Sequence, residues 1–212
     1  MRDSLILMPA PRSKSLFAWE PSPFIVVGVL LLLTSIVRPE APPWVLWPFV
    51  ALLVVAVAWL AVALMRSGGK ANPDQWGDLK TLEGLEIVDA PHVERGIRAV
   101  APVADVHRHQ PAIELALLFG GTQQPAVLVP RASRWLSRRY RIGVQLVGGD
   151  HPRHAGFLEE AADARWRDAL DAWRQQGRYA RVPALIVGTA RPFKVELDLS
   201  GLQHALGVSP ND

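Results

Sequence analysis

The residues most able to do chemistry lie in one short arginine-rich stretch, which we call the arginine segment. Five arginines fall within 11 residues, no acidic residue separates them, and two aromatic residues are interleaved; the segment contains Arg131, Arg134, Trp135, Arg138, Arg139, Tyr140 and Arg141. Guanidinium groups pair bidentately with phosphate, and aromatic rings stack on bases or lie at a headgroup boundary. The segment therefore predicts a docking site for an anionic partner: lipid headgroups, an acidic protein surface or single-stranded nucleic acid. The alternative is a solvated loop whose arginines pair with Asp and Glu elsewhere.

Other catalytic or metal-binding patterns are weak. Four histidines form an H-x-H and an H-x-x-H pattern, at His107, His109, His151 and His154. They would supply imidazole ligands to zinc if their two loops met, and otherwise they are surface residues. The chain has no cysteine, so disulfides and thiolate metal sites are excluded. Because it also lacks a G-x-S-x-G motif and a P-loop, we expect no enzymatic activity and no cofactor or metal. The remaining alternative is an enzyme whose residues converge only in the fold.

Two apolar runs near the N-terminus predict that the protein is attached to a membrane. Trp44 to Met65 is free of charge and, as a helix of about 33 Å, is long enough to span a bilayer. Phe24 to Val37 is shorter, even when extended back to Pro21, and a re-entrant or buried segment is its alternative. Because a six-residue link, Arg38 to Pro43, joins the runs, we expect a two-helix transmembrane hairpin and an integral membrane protein.

Flanking charges predict the orientation of this hairpin. Basic residues lie before the first run (Arg2, Arg12 and Lys14) and after the second (Arg66 and Lys70). The connection carries Arg38, which Glu40 offsets. The positive-inside rule then places both termini in the cytoplasm, at a bacterial inner membrane. High Ala, Arg, Trp and Pro usage suggests a GC-rich bacterial or phage source, which would permit a role in defence or superinfection exclusion.

The rest of the chain is predicted to form one α+β domain. We expect a tail at 1–20, the hairpin at 21–66, a linker at 67–80 and a cytoplasmic domain at 81–212. The domain is a small, mostly antiparallel sheet or barrel with one long packed helix. That helix runs from Glu159 to Gln176, buries Trp166 and Trp173, and ends at Gly177. Its charged residues are expected to lie largely off the buried face; they are Asp163, Arg167, Asp168, Asp171 and Arg174.

Short apolar runs between turn signals predict the strands. They are Leu85 to Val88, Ala126 to Val129 between Pro125 and Pro130, Tyr140 to Val147, Val182 to Val187 and Phe193 to Leu199. Val93 to Val100 is interpreted as a short helix that ends at Pro102. Gly120-Gly121 and Gly148-Gly149 are interpreted as hairpin turns.

Three segments between Pro125 and Leu199 resemble the HIRAN-like domain. The first is Ala126-Val-Leu-Val-Pro130; the second is Ala155-Gly-Phe-Leu158 with its following helix; the third comprises Gly177-Arg178, Arg181-Val-Pro-Ala184 and Val195 to Leu199. The resemblance implies a small β-barrel with a helix. HIRAN domains in DNA-repair enzymes bind the ends of single-stranded DNA. That function does not carry over residue by residue, because arginines here replace the Asn and Asp that the family has before its Ala-Val strand.

The function that follows is a membrane-anchored cytoplasmic binding module that docks an anionic partner. A rival from another class is a structural subunit of a larger bacterial or phage-encoded membrane complex, with the soluble domain as an assembly interface. Small residues on one face of the second helix would then matter, and the alanines available are Ala51, Ala56, Ala58, Ala61 and Ala63. The sequence does not identify the partner or the oligomeric state.

Overall fold

The chain forms two compact units, each of which is described by itself. The computed structural model describes residues 13–16, 19, 21–35, 42–69, 79, 81–93, 100–133 and 137–207. The helical unit falls within Ser13–Lys70 and Arg134–Arg138. The barrel unit falls within Ala71–Ser133 and Arg139–Asp212.

The helical unit contains two helices that pack against each other. Helix α1 spans Ser22–Leu33 and helix α2 spans Pro43–Gly69. Within α2, Pro43–Met65 is long and apolar enough to cross a membrane, and only 6 % of its apolar window is buried. Among the described residues this is the one such helix. Helix α1 has 12 residues, about 18 Å, which is shorter than the hydrocarbon core of a bilayer.

Helix α2 contains Pro48 in its second turn. The helix continues to Gly69, into the first residues of the segment expected to be the linker. Residues 70–78 lie outside the described part of the chain.

The barrel unit is built on seven strands. They are β1 Glu86–Asp89, β2 Val100–Ala104, β3 Gln123–Ala132, β4 Arg141–Leu146, β5 Arg153–Leu158, β6 Arg178–Val187 and β7 Lys194–Asp198. Strands β6, β3, β4, β5, β2 and β7 are neighbours in that order, and β7 pairs again with β6. Because every one of these pairings is antiparallel, the six strands close into an antiparallel barrel. Strand β1 adds to β6 in parallel.

The apolar run in β3 is explained by burial of both its faces. Ala126 and Leu128 face the main core of the barrel. Val127 and Val129 face a second core with Leu79 and Tyr179. A strand that is covered on both sides reads as a continuous apolar run rather than as an alternation.

Three helices accompany the barrel. Helix α3 spans Gln110–Gly120 and packs on β5; helix α4 spans Glu160–Gln175 and packs on β3, β4 and β6; helix α5 spans Leu202–Leu206. The expected long helix is confirmed within one residue at each end. Trp166 and Trp173 are buried in the core, and Gly177 adopts a φ of 77° just after the helix ends. The α+β class with a mostly antiparallel barrel is therefore confirmed.

Local errors in the strand predictions have physical causes. Pro125 and Pro130 lie inside β3 rather than at its ends. Pro125 opposes Pro183 in β6, and the register of β3 with β4 shifts after Val129, so the sheet tolerates both missing donors. Val100 and Pro102 belong to strand β2, not to a helix, and residues 94–99 lie outside the described part. Gly148-Gly149 does join the paired strands β4 and β5.

Two further features of the structure differ from the expectations. Gly120-Gly121 ends helix α3 instead of forming a hairpin, with Gly121 at a φ of 78°. Asp163 and Asp171 were expected off the buried face of α4, yet both are buried. Their carboxylates bind backbone and guanidinium groups from the arginine segment and its flanks, which makes burial of the charge affordable.

Candidate anion-binding site

The structure separates the residues of the arginine segment by environment. Arg131 is in β3 and Arg141 begins β4, while Arg138, Arg139 and Tyr140 lie in the connection before β4. Arg134 and Trp135, also expected in the site, lie outside the described residues. The segment is thus a β3–β4 connection whose two ends are held by the barrel.

Arg131 is tied to the buried carboxylate of Asp171 on helix α4. Its Nη2 donates a hydrogen bond of 2.9 Å to Oδ2. Its Nε lies 2.7 Å from Oδ1, in ion-pair contact but too bent for a hydrogen bond, while the Asp171 side chain is 4 % exposed. Arg131 also adopts a φ of 59°, which is unusual for a residue with a side chain. A charge held this way fixes the end of β3 and is costly to redirect to an external ligand.

Arg141 is anchored at the other end of the segment. Its Nη1 donates to Asp105 Oδ2 at 2.8 Å, and its Nη2 donates to the carbonyl of Leu158 at 3.1 Å. The guanidinium also lies 4.9 Å from the ring centroid of Phe157. Burial, and then repulsion from Arg139, lowers the pKa of Arg141 from its ordinary value. Asp105 has a φ of 66°, in the left-handed region that Asp adopts more readily than most residues with a side chain.

A small cleft lies among the anchored arginines. Arg131, Arg141 and Arg167 line it together with Tyr140 and Asp171. Its volume is about 10 Å³, room for roughly one water molecule. Arg167 is itself paired with Asp163, which also accepts the backbone N–H of Ile142 at 2.7 Å. In this conformation the cleft is too small for a phosphate group.

Arg139 makes a different kind of pair. Its Nη2 lies 2.8 Å from Oε1 of Glu160, and the two side chains are 56 % and 74 % exposed. The hydrogen bond from Arg139, followed by its charge, lowers the pKa of Glu160. Exposed pairs of this kind contribute little to stability and exchange readily with other partners.

Arg138 belongs to the helical unit and binds the backbone there. Its Nε and Nη2 both donate to the carbonyl of Lys14, at 3.2 and 3.0 Å. The Lys14 N–H donates in return to the Arg138 carbonyl at 2.7 Å. Within the described residues no carboxylate pairs with Arg138. Its positive charge is therefore held in place by hydrogen bonds and, in the part of the chain that the structure describes, is not neutralised by a carboxylate.

Two of the four histidines that were candidate zinc ligands are in contact. The rings of His109 and His154 are edge-to-face with centroids 4.4 Å apart, and His154 Nδ1 lies 3.2 Å from the buried amide of Gln145. His107 and His151 are exposed. Among the described residues no three His, Cys, Asp or Glu side chains are arranged as a metal site.

The comparisons with known proteins returned no relative. No protein-family model, curated protein or solved structure matches this chain. The resemblance to the HIRAN-like domain therefore stays a prediction.

The acidic partners of the arginine segment were not predicted from the sequence. Asp105, Asp171 and Glu160 lie 36, 40 and 21 residues from the arginines they bind. One signal was available: Asp163, Arg167 and Asp171 recur every four residues along α4, beside the apolar stripe. Such an i, i+4 row indicates paired charges, and its position next to Trp166 and Leu170 would have suggested partial burial.

Proposed function

We propose that this protein is a membrane-anchored cytoplasmic binding module whose arginine segment docks anionic lipid headgroups. In this proposal α1 and α2 form a two-helix hairpin in a bacterial inner membrane, both termini are cytoplasmic, and the chain has no enzymatic activity. Acidic protein surfaces and single-stranded nucleic acid are the other anions that the segment suits.

The observation that supports lipid is the bonding of Arg138 to Lys14. Lys14 lies eight residues before the first residue of α1, and three hydrogen bonds join its backbone to Arg138. Arg138, which has no carboxylate partner among the described residues, is therefore hydrogen-bonded to the segment that precedes helix α1. Each basic residue near an anionic leaflet adds about 1 kcal/mol of attraction.

The exposed pair of Arg139 and Glu160 supports the same conclusion. Because the pair is screened by water, Arg139 can exchange Glu160 for a phosphate at small cost. Arg131 and Arg141 then hold the two ends of the segment, and Arg138 and Arg139 meet the headgroup.

The test uses the full chain in neutral dodecyl maltoside micelles, titrated with short-chain phosphatidylglycerol by calorimetry. Arg138→Ala/Arg139→Ala should weaken binding at least about fivefold, because two charge contacts are lost. Arg191→Ala/Lys194→Ala removes the same charge elsewhere on the surface and should leave binding unchanged. Short-chain phosphatidylcholine should not bind.

A parallel titration with an oligothymidylate over a salt series separates the anions. Salt-dependent oligonucleotide binding that the double variant loses, without phosphatidylglycerol binding, would replace lipid by nucleic acid. No effect of the double variant on either ligand would overturn the docking proposal.

An apolar stripe on α3 favours the assembly subunit as a second candidate. Leu115, Leu118 and Phe119 share one face of the helix, and Leu118 is 73 % exposed. Exposed apolar groups at this spacing are typical of an interface with another protein. If the interface joins copies of this chain, Leu118→Ser should lower the mass of the detergent-solubilised particle measured by light scattering.

A further inference from the structure

A second candidate site lies on the barrel unit, outside the arginine segment. Strand β6 pairs with β1 through Arg178–Arg181 and with β7 from Ala184 to Val187, so Val182 and Pro183 pair with neither. A groove of about 650 Å³ lies at this fork. That volume is in the range of small-molecule sites.

The floor of the groove is apolar. Strand β6 lines the groove with four apolar residues in a row, Val182, Pro183, Ala184 and Leu185, of which Val182 and Ala184 also belong to the main core. Pro183 lies directly opposite Pro125 of β3. Since neither proline has an N–H, the floor presents carbon surface and few hydrogen-bond donors.

Most charges around the groove already have partners. Arg181 binds Asp89 through two hydrogen bonds, of 2.5 and 2.8 Å. Asp198 accepts from the backbone N–H of Ser200 at 3.0 Å and contacts His92. The Arg181–Asp89 pair is therefore neutral overall, and the Asp198 carboxylate is held by hydrogen bonds.

Glu196 is the exception. It lies on β7 between the buried residues Val195 and Leu197 and lines the groove, half-buried. Within the described residues its carboxylate makes no hydrogen bond and no ion pair. A partly buried carboxylate without a partner favours a ligand that brings a positive charge and N–H donors.

His92 adds an acceptor to the same groove. Its Nδ1 lies 2.7 Å from Asp198 Oδ2 and 3.3 Å from Ser200 Oγ. Because both neighbours approach the same ring nitrogen, these three residues do not form a Ser-His-Asp triad, which needs Ser at Nε2. In the tautomer that donates from Nδ1 to this carboxylate, Nε2 is a hydrogen-bond acceptor. Among the described residues Nε2 has no partner.

We propose that this groove binds a small organic cation, an ammonium or guanidinium group on a short apolar body. Glu196 pairs with the charge, Nε2 of His92 accepts one of its N–H groups, and the body covers Pro125, Pro183 and Leu185. Arg181 does not oppose the ligand because Asp89 neutralises it. This site is independent of anion docking by the arginine segment.

Agmatine, which carries a guanidinium and an amine on a butyl chain, is the probe. The full chain in dodecyl maltoside micelles is titrated with it by calorimetry, up to about 10 mM, beside the dianion glutarate. Glu196→Gln should weaken agmatine binding about tenfold, the scale of one charge-assisted hydrogen bond. Glu83→Gln is the matched control: Glu83 is exposed and lies outside the groove, so affinity should not change.

A gain-of-affinity variant covers the case in which Glu196→Gln perturbs the barrel. Gln123 is exposed and lines the groove, so Gln123→Glu adds a second carboxylate and should tighten agmatine binding about threefold. Tightening there, with glutarate remaining unbound, supports the proposal. No agmatine binding by the parent, or equal affinity in the parent and both groove variants, overturns it.

Discussion

Arginines of one short segment have different roles according to where their partners lie. Arg131 and Arg141 are held by Asp171 and Asp105, and each pair is largely withdrawn from water. Arg139 holds an exposed glutamate, and Arg138 binds a backbone carbonyl. The cluster therefore combines two arginines that buried carboxylates hold with two exposed arginines that no buried carboxylate holds among the described residues. Residue type alone does not reveal this division, because it depends on distant carboxylates.

The largest effect on stability is expected at Gly156, which packs against the residue before Asp105, the partner of Arg141. Gly156 has a φ of 144°, and an added Cβ would lie 2.2 Å from the carbonyl oxygen of Ala104, next to Asp105. Gly156→Ala should therefore separate β2 from β5 and lower the free energy of unfolding by more than about 3 kcal/mol. Chemical unfolding of the full chain in detergent, followed by near-UV circular dichroism, measures this.

Gly84→Ala is the control for that measurement. Gly84 has a φ of 78°, but no atom lies within 4 Å of its added Cβ. The expected loss is about 1 kcal/mol, from backbone strain alone. Equal losses in the two variants would show that the Gly156 contact does not hold Asp105 in place.

The buried pair of Arg131 and Asp171 gives the next largest effect. Asp171→Ala leaves the Arg131 guanidinium without its carboxylate and should cost about 3 kcal/mol in the same unfolding assay. Asp168→Ala, on the exposed side of α4, should cost less than about 0.5 kcal/mol. The double change Arg131→Met/Asp171→Leu should recover most of the loss, since it removes both charges. A double variant as unstable as Asp171→Ala would mean that the pair is not the cause.

The hydrogen bonds of Asp198 are expected to have a smaller effect on stability than the Arg131–Asp171 pair, and this effect should depend on pH. Burial raises its pKa, but hydrogen bonds from Ser200 and then His92 outweigh burial and hold the pKa below its ordinary value of 3.8. The folded state therefore favours the carboxylate, and its contribution is present above pH 3.8 and is lost as pH falls through the lowered pKa. Ser200→Ala should cost about 1 kcal/mol at pH 6. The deficit should shrink toward pH 3; a deficit that does not change with pH would contradict this linkage.

Most strands and the long helix of the barrel unit could be predicted from the sequence, because each shows an apolar run or stripe bounded by Gly or Pro. Helix α4 has an apolar stripe with Trp166 and Trp173 and a glycine at its end, and the structure places it within one residue of the expectation. Strand β3 was recognised from its apolar run, but its ends were not. Pro125 and Pro130 are accommodated by a cross-strand proline pair and a register shift, and neither feature is visible in one strand alone.

Sites assembled from distant residues were predictable only in part. The arginines of the segment were visible as a cluster. Asp105, which follows strand β2, and Asp171, on helix α4, became their partners only through tertiary packing. The groove at β6 brings Glu196 and His92 together across 104 positions of the sequence. No periodicity in either segment signals that meeting.

The smallest effect on stability is expected at the exposed pair, and it tests the division of roles most directly. Glu160 is fully exposed and its pKa is lowered first by the hydrogen bond from Arg139, so Glu160→Gln should leave the unfolding midpoint unchanged. The same variant removes the carboxylate that competes with a phosphate for Arg139 and should tighten phosphatidylglycerol binding about twofold, while Glu159→Gln, its exposed neighbour, should not. A lower unfolding midpoint with unchanged lipid binding would place Arg139 with Arg131 and Arg141 as a structural anchor. Tighter binding at constant stability would instead mean that the segment is divided as its contacts indicate, since the released charge then acts on the ligand and not on the fold.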